Sequence, residues 1–500
     1  MGWFHLATLV LPLVTSTTAA GASSDVDAYC SLIDDRIPGR VFYPSSETYD
    51  ESLSSYYSGQ ESDIQPGCIF RPRSTAEVSE FMKLVTASDV DDGSKEELGK
   101  RRRRPRLAVR SGGHMIWAGA ANVEGGITVD MREMRGVELS GDGSVARLGA
   151  GAVWSDVYRE LVPRNLTVMG GRVTGIGVGG FITGGGIHFL ARRHGWACDN
   201  VHGYEVVLAN GTAVEATASS HEDLWLALKG GSGANFGVVT RVDVPTFRDA
   251  VHMWGGTVAF PYTPDVLAAQ ARAFSDFMRE ESFDDAAHMG LTLVFDGGSY
   301  AVADAMYYVE PTVRPRVYER FMEIQPQTAD SMRLTNASAL VDMSTGLLPP
   351  NTTSGQEAAV YEELFAAWED GARALSGVEK MQLVLLLQPH PVTNGTNSLG
   401  LEAGRRDEVV GVVTGAYADA ADDGEVQRVM EGVVAAQEGA LRARGLLLEG
   451  WRYLNYADGS QDPIGGYGRE VGERLRGVSR AYDPEGVFQE QVPGGFKLFT

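Results

Sequence analysis

Basic residues are scarce: Lys and Arg number 43 against 66 Asp and Glu, a formal net charge of −23. A surface that acidic repels phosphate backbones and anionic headgroups, which argues against nucleic acid or a membrane surface as partner. Cysteine is scarcer still, with three in 500 residues. No H-E-x-x-H or paired Cys/His spacing suits a metal, and neither His188 nor His194 has such a partner in sequence. A G-x-x-x-x-G-K-[ST] phosphate loop is missing. Around Ser232 the serine-hydrolase elbow is broken, because Ala234 stands where that motif needs glycine. No internal repeat is visible. After the first fourteen residues no stretch is long and apolar enough to span a bilayer.

Those fourteen residues, Met1 to Val14, form an apolar run of signal-peptide length, and Ala20-Gly21-Ala22 fits the small-residue cleavage pattern. Pro12 and the following Thr/Ser cluster cut the run too short for a membrane anchor. A signal peptide over 1–22 and an extracellular, secreted product are expected. The sequons at Asn165, Asn210, Asn336, Asn351 and Asn394 suit the same compartment and predict N-glycans, although Asn210-Gly-Thr also reads as a hairpin turn. An oxidising compartment favours a bridge between Cys30 and Cys68, leaving Cys198 as a buried inert thiol.

Residues 74–87 open with the capping box Ser74-x-x-Glu77 and run on as an amphipathic helix. The polar stretch 88–106, ending in Arg101-Arg-Arg-Arg-Pro-Arg106, reads as a solvated insertion rather than a docking site. Strands are predicted at Leu107–Arg110 and Ile127–Met131, a helix at Val153–Leu161, and a hairpin around Asn210-Gly211. From about 250 to 450 glycine thins. Helical patterns (265–278, 356–374, 424–442) there alternate with apolar strands (289–295, 381–388, 408–414), which describes helices covering an antiparallel sheet.

Glycine is the one residue in excess, 61 of 500, against a usual ~7%. It gathers in three clusters: Ser111-Gly-Gly-His114, the run Gly170 to Gly186, and Gly230-Gly-Ser-Gly-Ala-Asn-Phe-Gly237. Without a Cβ the backbone can approach a ligand and present its N–H groups, as phosphate cradles do. Gly175-Ile-Gly177-Val-Gly-Gly180 matches a dinucleotide fingerprint with Asp199 about twenty residues on, but no clean strand–turn–helix surrounds it. A long phosphate-bearing cofactor threaded between subdomains is the expectation.

In their order and spacing these clusters resemble the FAD-linked oxidases of the vanillyl-alcohol oxidase / p-cresol methylhydroxylase superfamily. The branch is that of berberine bridge enzyme, hydroxynicotine oxidase and glucooligosaccharide oxidase. The resemblance rests on Arg110-Ser-Gly-Gly-His114, the Gly-Val-Gly-Gly-x-x-x-Gly-Gly-Gly run at 177–186, Asp199-Asn200-Val201 and the 230–237 cluster. It continues in Tyr453-Leu-Asn-Tyr456, Tyr482-Asp-Pro484 and the closing Phe488-Gln-x-x-Val-Pro-Gly-Gly-Phe-Lys497, which is similar to fungal members. It implies an α+β fold. A two-subdomain FAD-binding (PCMH-type) domain would cover 23–248, a substrate domain of antiparallel sheet backed by helices 249–450, and 451–500 would return to the FAD domain.

The same resemblance implies that His114 joins the 8α carbon of FAD covalently. The cysteine that adds a second bond in many members is replaced here by Val173, so a single tether follows. Other implied cofactor contacts are Arg110, Ser111, Gly112, Gly113 and Met115 in the first cluster. In the second they are Gly170, Gly171, Thr174, Ile176, Gly177, Gly179, Gly180, Gly184 and Gly185. Gly237, Val238, Val239, Asn455 and Tyr456 complete the set. Tyr456 matches the family's proton-abstracting tyrosine; a phenol titrates near 10, so a neighbour has to help it act as a base. Tyr453 reads as a packing residue alternating with Asn455 on a strand. His188, where serine is common, is a second base or a packing residue.

The implied enzyme transfers a hydride from an alcohol or amine C–H to flavin N5, with O2 as acceptor giving hydrogen peroxide. Ile176 falls where oxygen-reactive relatives carry a smaller valine, which leaves a dehydrogenase open. With one tether, and with Val173, Ile116 and Trp117 adding apolar bulk, a small aromatic, heterocyclic or secondary-metabolite substrate is expected over an oligosaccharide. A monomer with no metal is expected. A secreted flavoprotein without turnover and a nicotinamide-dependent reductase are the rival readings.

Overall fold

The computed structural model describes residues 19–87, 103–343 and 358–499. The apolar run before residue 19, the polar insertion over 88–102 and the Asn351 sequon lie outside them, while Ala20-Gly21-Ala22 falls in the first turn and a half of a helix, Ala19–Arg36.

Three sheets organise the chain. The first has the order Val41–Phe42, Cys68–Phe70, Ile127–Asp130, Leu107–Arg110; its first pair is antiparallel and the other two are parallel. The two central parallel strands are buried along their whole length, as parallel strands covered on both faces must be. Helix Thr75–Thr86 covers this sheet, burying Val78, Phe81, Met82 and Val85, and Ser74 caps it by accepting from the Glu77 N–H at 3.3 Å. Cys30 of the first helix is bridged to Cys68 of the sheet. Cys198 is a free, buried thiol.

The second sheet is antiparallel, in the order Val137–Leu139, Val145–Gly149, Val238–Pro245, Gly203–Val207, Ala213–Thr217. Its last two strands form the Asn210-Gly211 hairpin, with Gly211 at φ +79°. The Asn210 side chain accepts from the Thr212 N–H at 2.9 Å.

The third sheet is antiparallel throughout and built only from residues 253–416. Ser299–Tyr308 and Ala287–Asp296 pair at its centre, flanked by Met253–Pro261 on one side and by Gln382–Pro389 then Val409–Ala416 on the other. Alternation sorts the side chains between two faces. Met289, Leu291 and Leu293 pack with helices Pro264–Met278, Ala358–Ala374 and Asp423–Arg442. Tyr307, Leu386, Val410 and Val412 face the core shared with the glycine-rich half. Residues 451–498 return to that half: Trp451, Tyr453, Ile464 and Phe496 join the same core, and Val487, Phe488 and Val492 join the core of the first sheet.

Candidate active site

The glycine clusters meet because two loops touch backbone to backbone. A Cβ on Gly112 would lie 2.4 Å from the Gly177 nitrogen, and one on Gly177 would lie 2.1 Å from the Gly112 nitrogen. Only glycine permits that approach. Ser111 fastens the pair, its hydroxyl donating to the Ala150 carbonyl at 2.6 Å and accepting from the Gly179 N–H at 3.2 Å. The helix Val178–Thr183 starts at this point, with Gly177 at its cap. It is a turn and a half long and follows an irregular segment, so the fingerprint match at 175–180 has no strand before it.

Beneath the loops lies a cavity of about 230 Å³, partly open to solvent. Its walls include Ser111, Gly112, Gly113, His114, Met115 and Ile116, then Ile176, Gly177, Gly179 and Gly180. Gly237, Val239, Asn455 and Tyr456 complete the expected set. The other expected contacts stand behind this wall. Gly170 is pressed against Trp154, Gly171 takes the Tyr158 hydroxyl on its carbonyl at 3.1 Å, and Gly184 and Gly185 make room for Asn455 and for Tyr453 with Trp196. Val173 is buried, Val238 packs in the core of the first sheet, and neither they nor Thr174 line the cavity. Arg110 is fully buried, donates to Ser55 Oγ at 2.9 Å and stacks 3.7 Å over the Tyr56 ring, so it stiffens the His114 loop from behind.

His114 lies in the cavity wall with its ring stacked on Tyr57 at 4.0 Å. Burial pushes its imidazole down to about 4, and its buried Nε2 has no hydrogen-bond partner. A neutral imidazole in the cavity wall with a ring nitrogen that no protein group engages suits contact with a ligand. The contacting loops and the orphaned nitrogen together fit a flavin dinucleotide.

At the other wall Leu454–Tyr456 form a 3-10 turn, where alternation along a strand was expected. The turn separates the two tyrosines. Tyr453 is sealed against Trp196, its hydroxyl accepts from the Gly186 N–H at 2.8 Å and the Asn455 amide at 2.9 Å, and burial holds it well above the usual phenol range. Tyr456 reaches the cavity, where its hydroxyl takes hydrogen bonds from Gln388 Nε2 at 3.2 Å and Arg172 Nη2 at 3.4 Å.

His188 is not in the cavity wall. It is fully buried, Nδ1 accepts from the Leu190 N–H at 3.2 Å, and its ring lies among Tyr158 and Phe189. Burial, then the Arg172 charge, hold it well below the usual imidazole range. It packs behind the wall, with no face on the cavity.

Sequence reading missed Arg172, His288 and Gln388. Arg172 donates to Gln388 Oε1 at 2.7 Å and lies 2.8 Å from His288 Nε2. His288, also fully buried, is driven well below its usual range by burial and then by Arg172, so its Nε2 accepts and Nδ1 carries the proton. Their signal was weak but present: His288 and Gln388 are polar interruptions of otherwise apolar strands. Among the described residues no group of His, Cys, Asp and Glu is arranged to hold a metal, and no helix is long and apolar enough to cross a membrane.

Residues 66–217 match the FAD binding domain family. Over 482 residues the chain is 36% identical to the FAD-dependent monooxygenase tpcD of Cochliobolus heterostrophus, covering 91% of this chain and 89% of that protein. It is 32% identical to the FAD-dependent monooxygenase drtC of Aspergillus calidoustus, covering 94% and 89% of the two chains. Among solved structures it is similar to 6-hydroxy-D-nicotine oxidase of Arthrobacter nicotinovorans, with a TM-score of 0.73 at 22% identity over 90% of this chain and 96% of that one. Glucooligosaccharide oxidase of Acremonium strictum gives the same TM-score at 18% identity, over 95% and 100%.

Proposed function

The chain belongs to the family of FAD-dependent oxidoreductases that includes these fungal proteins, and from that premise we propose that it oxidises an alcohol or amine carbon of a small molecule, with FAD tethered through His114 alone. When bound, the flavin would supply a hydride acceptor, with O2 as the final oxidant and hydrogen peroxide as the by-product. The observation that carries the reading is Tyr456, a cavity hydroxyl whose oxygen already receives two donors, Arg172 and Gln388. Its own proton therefore points elsewhere and has to leave first, and the phenolate oxygen that then takes the substrate's heteroatom proton faces a guanidinium and an amide. Tyr456 removes the substrate's heteroatom proton; Arg172 and Gln388 hold its oxygen in place. The apolar walls at Met115, Ile116, Ile176 and Phe181 exclude water and favour a compact ligand.

A single tether is supported by the unpartnered His114 Nε2 and by Cys198 being the only free cysteine among the described residues, buried in the core away from the cavity. Secretion with N-glycans is supported by the Cys30–Cys68 bridge and by exposed sequons at Asn165, Asn210 and Asn394. A glycosidase-sensitive mass on the secreted protein tests that part.

The test of the function is threefold. Acid-precipitated protein should remain yellow, and His114→Ala should release the flavin into the supernatant; flavin that stays attached in the variant sinks the tether. Tyr456→Phe should keep the flavin but lose at least a hundredfold in the rate of its reduction by substrate, within the ~10²–10⁴ that general bases contribute. A panel of sugars, aromatic alcohols and amines, read by peroxide and by dye reduction, identifies the substrate. A second reading, oxygen insertion, takes its support from the name monooxygenase borne by the relatives. Turnover under heavy-isotope oxygen separates the two, since an oxidase sends the label to peroxide and a monooxygenase to product.

A further inference from the structure

Among the described residues no carboxylate pairs with Arg172. Among the described residues lining the cavity there is no Asp, Glu or Lys. The three groups that accept from Arg172 are His288 Nε2, Gln388 Oε1 and the Tyr456 hydroxyl, and none is a carboxylate. Other titratable groups that feel its charge are Tyr158, His188 and Tyr307, and none is a carboxylate. Several other arginines of this acidic molecule meet carboxylates. Arg71 pairs with Glu51, Glu133 and Asp130, Arg193 with Asp249, Asp285 and Glu310, and Arg452 with Glu438. Arg110 and Arg192 also lack a carboxylate within ion-pair distance, but Arg110 is held by Ser52 and Ser55, Arg192 is closed off between the Phe277 and Phe283 rings, and neither lines the cavity.

Arg172 is half-buried in the cavity wall, and a guanidinium partly withdrawn from water without a counter-ion carries a cost. A binding site tolerates that cost when the ligand brings the missing charge. The fork has five N–H donors, and three hydrogen bonds leave some of them over. The cofactor's diphosphate is the other anion to consider, but the partners of Arg172 come from residues 288, 388 and 456, at the sheet side, and none from the contacting loops at 112–113 and 177–180.

We propose that Arg172 is the counter-ion of an oxyanion carried by the substrate, a carboxylate or an ionised phenol, so that the enzyme selects acidic small molecules over neutral ones such as sugars. This rests on the reading of the cavity as the flavin and substrate site. His288 and Gln388 then act as positioning residues: each accepts from the guanidinium, fixing its plane, and neither supplies a negative charge that would compete with the ligand.

The test uses holoenzyme and two matched pairs of non-reacting probes, benzoate against benzamide and pentafluorophenol (ionised at neutral pH) against pentafluoroanisole. Binding is read by the flavin difference spectrum and independently by thermal shift. At least one charged probe should bind tenfold or more tightly than its neutral partner, and the pair that responds tells carboxylate from phenolate. Arg172→Gln should bring the charged probe down to the affinity of its neutral partner while keeping acid-stable flavin, and Arg172→Lys should restore part of the preference. Equal binding within both pairs overturns the proposal, as does a preference that survives in Arg172→Gln. Loss of flavin from Arg172→Gln with unchanged thermal stability also overturns it, because Arg172 would then serve the cofactor. If Arg172→Gln does not fold, the wild-type pairs and Arg172→Lys decide alone. Wild-type protein without acid-stable flavin refutes the tether at His114 and leaves this proposal to the thermal-shift arm.

Discussion

At the scale of single residues the glycines were the easiest to read and the substrate end the hardest. A close backbone contact such as Gly112 against Gly177 can be made only by glycine, so the requirement is written in the sequence. Arg172 carries no such mark. It sits inside a glycine run, and its partners lie 116, 216 and 284 positions away. A single arginine looks the same in sequence whether it faces solvent or a cavity; only the packing of two domains decides. Val173, its neighbour, drew attention through the resemblance, yet it does not line the cavity. Ile176 does, and its carbonyl accepts from the Trp154 N–H at 3.0 Å, which fixes its backbone while the side chain borders the space. Removing one methyl group there should widen access for oxygen at a stability cost of about 0.5–1.5 kcal/mol. Ile176→Val is therefore expected to reoxidise faster than wild type when reduced enzyme is mixed with air in a stopped-flow instrument. Identical traces would remove Ile176 as an oxygen gate.

At the scale of elements, periodicity located three helices and three strands of the middle region to within about two residues, because each buries one face, but it passed over the strands Met253–Pro261 and Ser299–Tyr308. The helix expected at 265–278 is Pro264–Met278, and the strand expected at 289–295 is Ala287–Asp296. The stretch from Tyr453 to Tyr456 was misread as a strand because four residues are too few to tell a two-residue period from a 3-10 turn. The strand Ser299–Tyr308 holds a charge that its pattern does not explain. Asp304 is fully buried, with only the Gln270 amide to meet it, at 2.8 Å, and its other oxygen and Gln270 Oε1 both lack partners. Burial pushes this carboxyl up to about 7, while an unfolded Asp titrates near ~3.9. Between those pH values the folded chain holds a proton that the unfolded chain has lost. Stability from this group therefore falls as pH rises through that window, and the deficit is complete above it. The protonated acid has an O–H to offer Gln270 Oε1, and an asparagine amide offers the same donor at every pH. Asp304→Asn should raise the melting temperature at about pH 8, by on the order of 2 kcal/mol in stability, and the gain should shrink towards about pH 4. Melts across that range that run parallel for the two proteins would show that Asp304 does not titrate in the window.

At the scale of the whole molecule, the site is assembled from distant parts of the chain, and its last fifty residues hold the glycine-rich half together. Asn235, inside the third glycine cluster, donates to the Phe496 carbonyl at 2.9 Å, and Phe496 itself lines the cavity. The Leu107 N–H donates to the Gln491 carbonyl at 2.6 Å, fastening the strand that leads to His114. Asp483 accepts from the Val487 and Phe488 N–H groups at 2.9 and 2.7 Å, turning the chain so that those side chains enter the core of the first sheet. The composition shift near 250 and the return near 450 were legible as a change in glycine density. Which strand the tail would dock beside was not, because backbone hydrogen bonds leave no side-chain signature. The tail thus braces the glycine loops that line the cavity. Removing residues from Val487 onward spares His114, Arg172, His288, Gln388 and Tyr456, yet it uncovers the buried apolar surface under Val487, Phe488 and Val492 and opens the cavity at Phe496. A chain ending at Gly486 is expected to melt lower than the full chain, or to aggregate, and to carry substoichiometric flavin, read as the ratio of flavin to protein absorbance. Full flavin content and an unchanged melting temperature in that truncation would mean that the cradle stands without its C-terminal support.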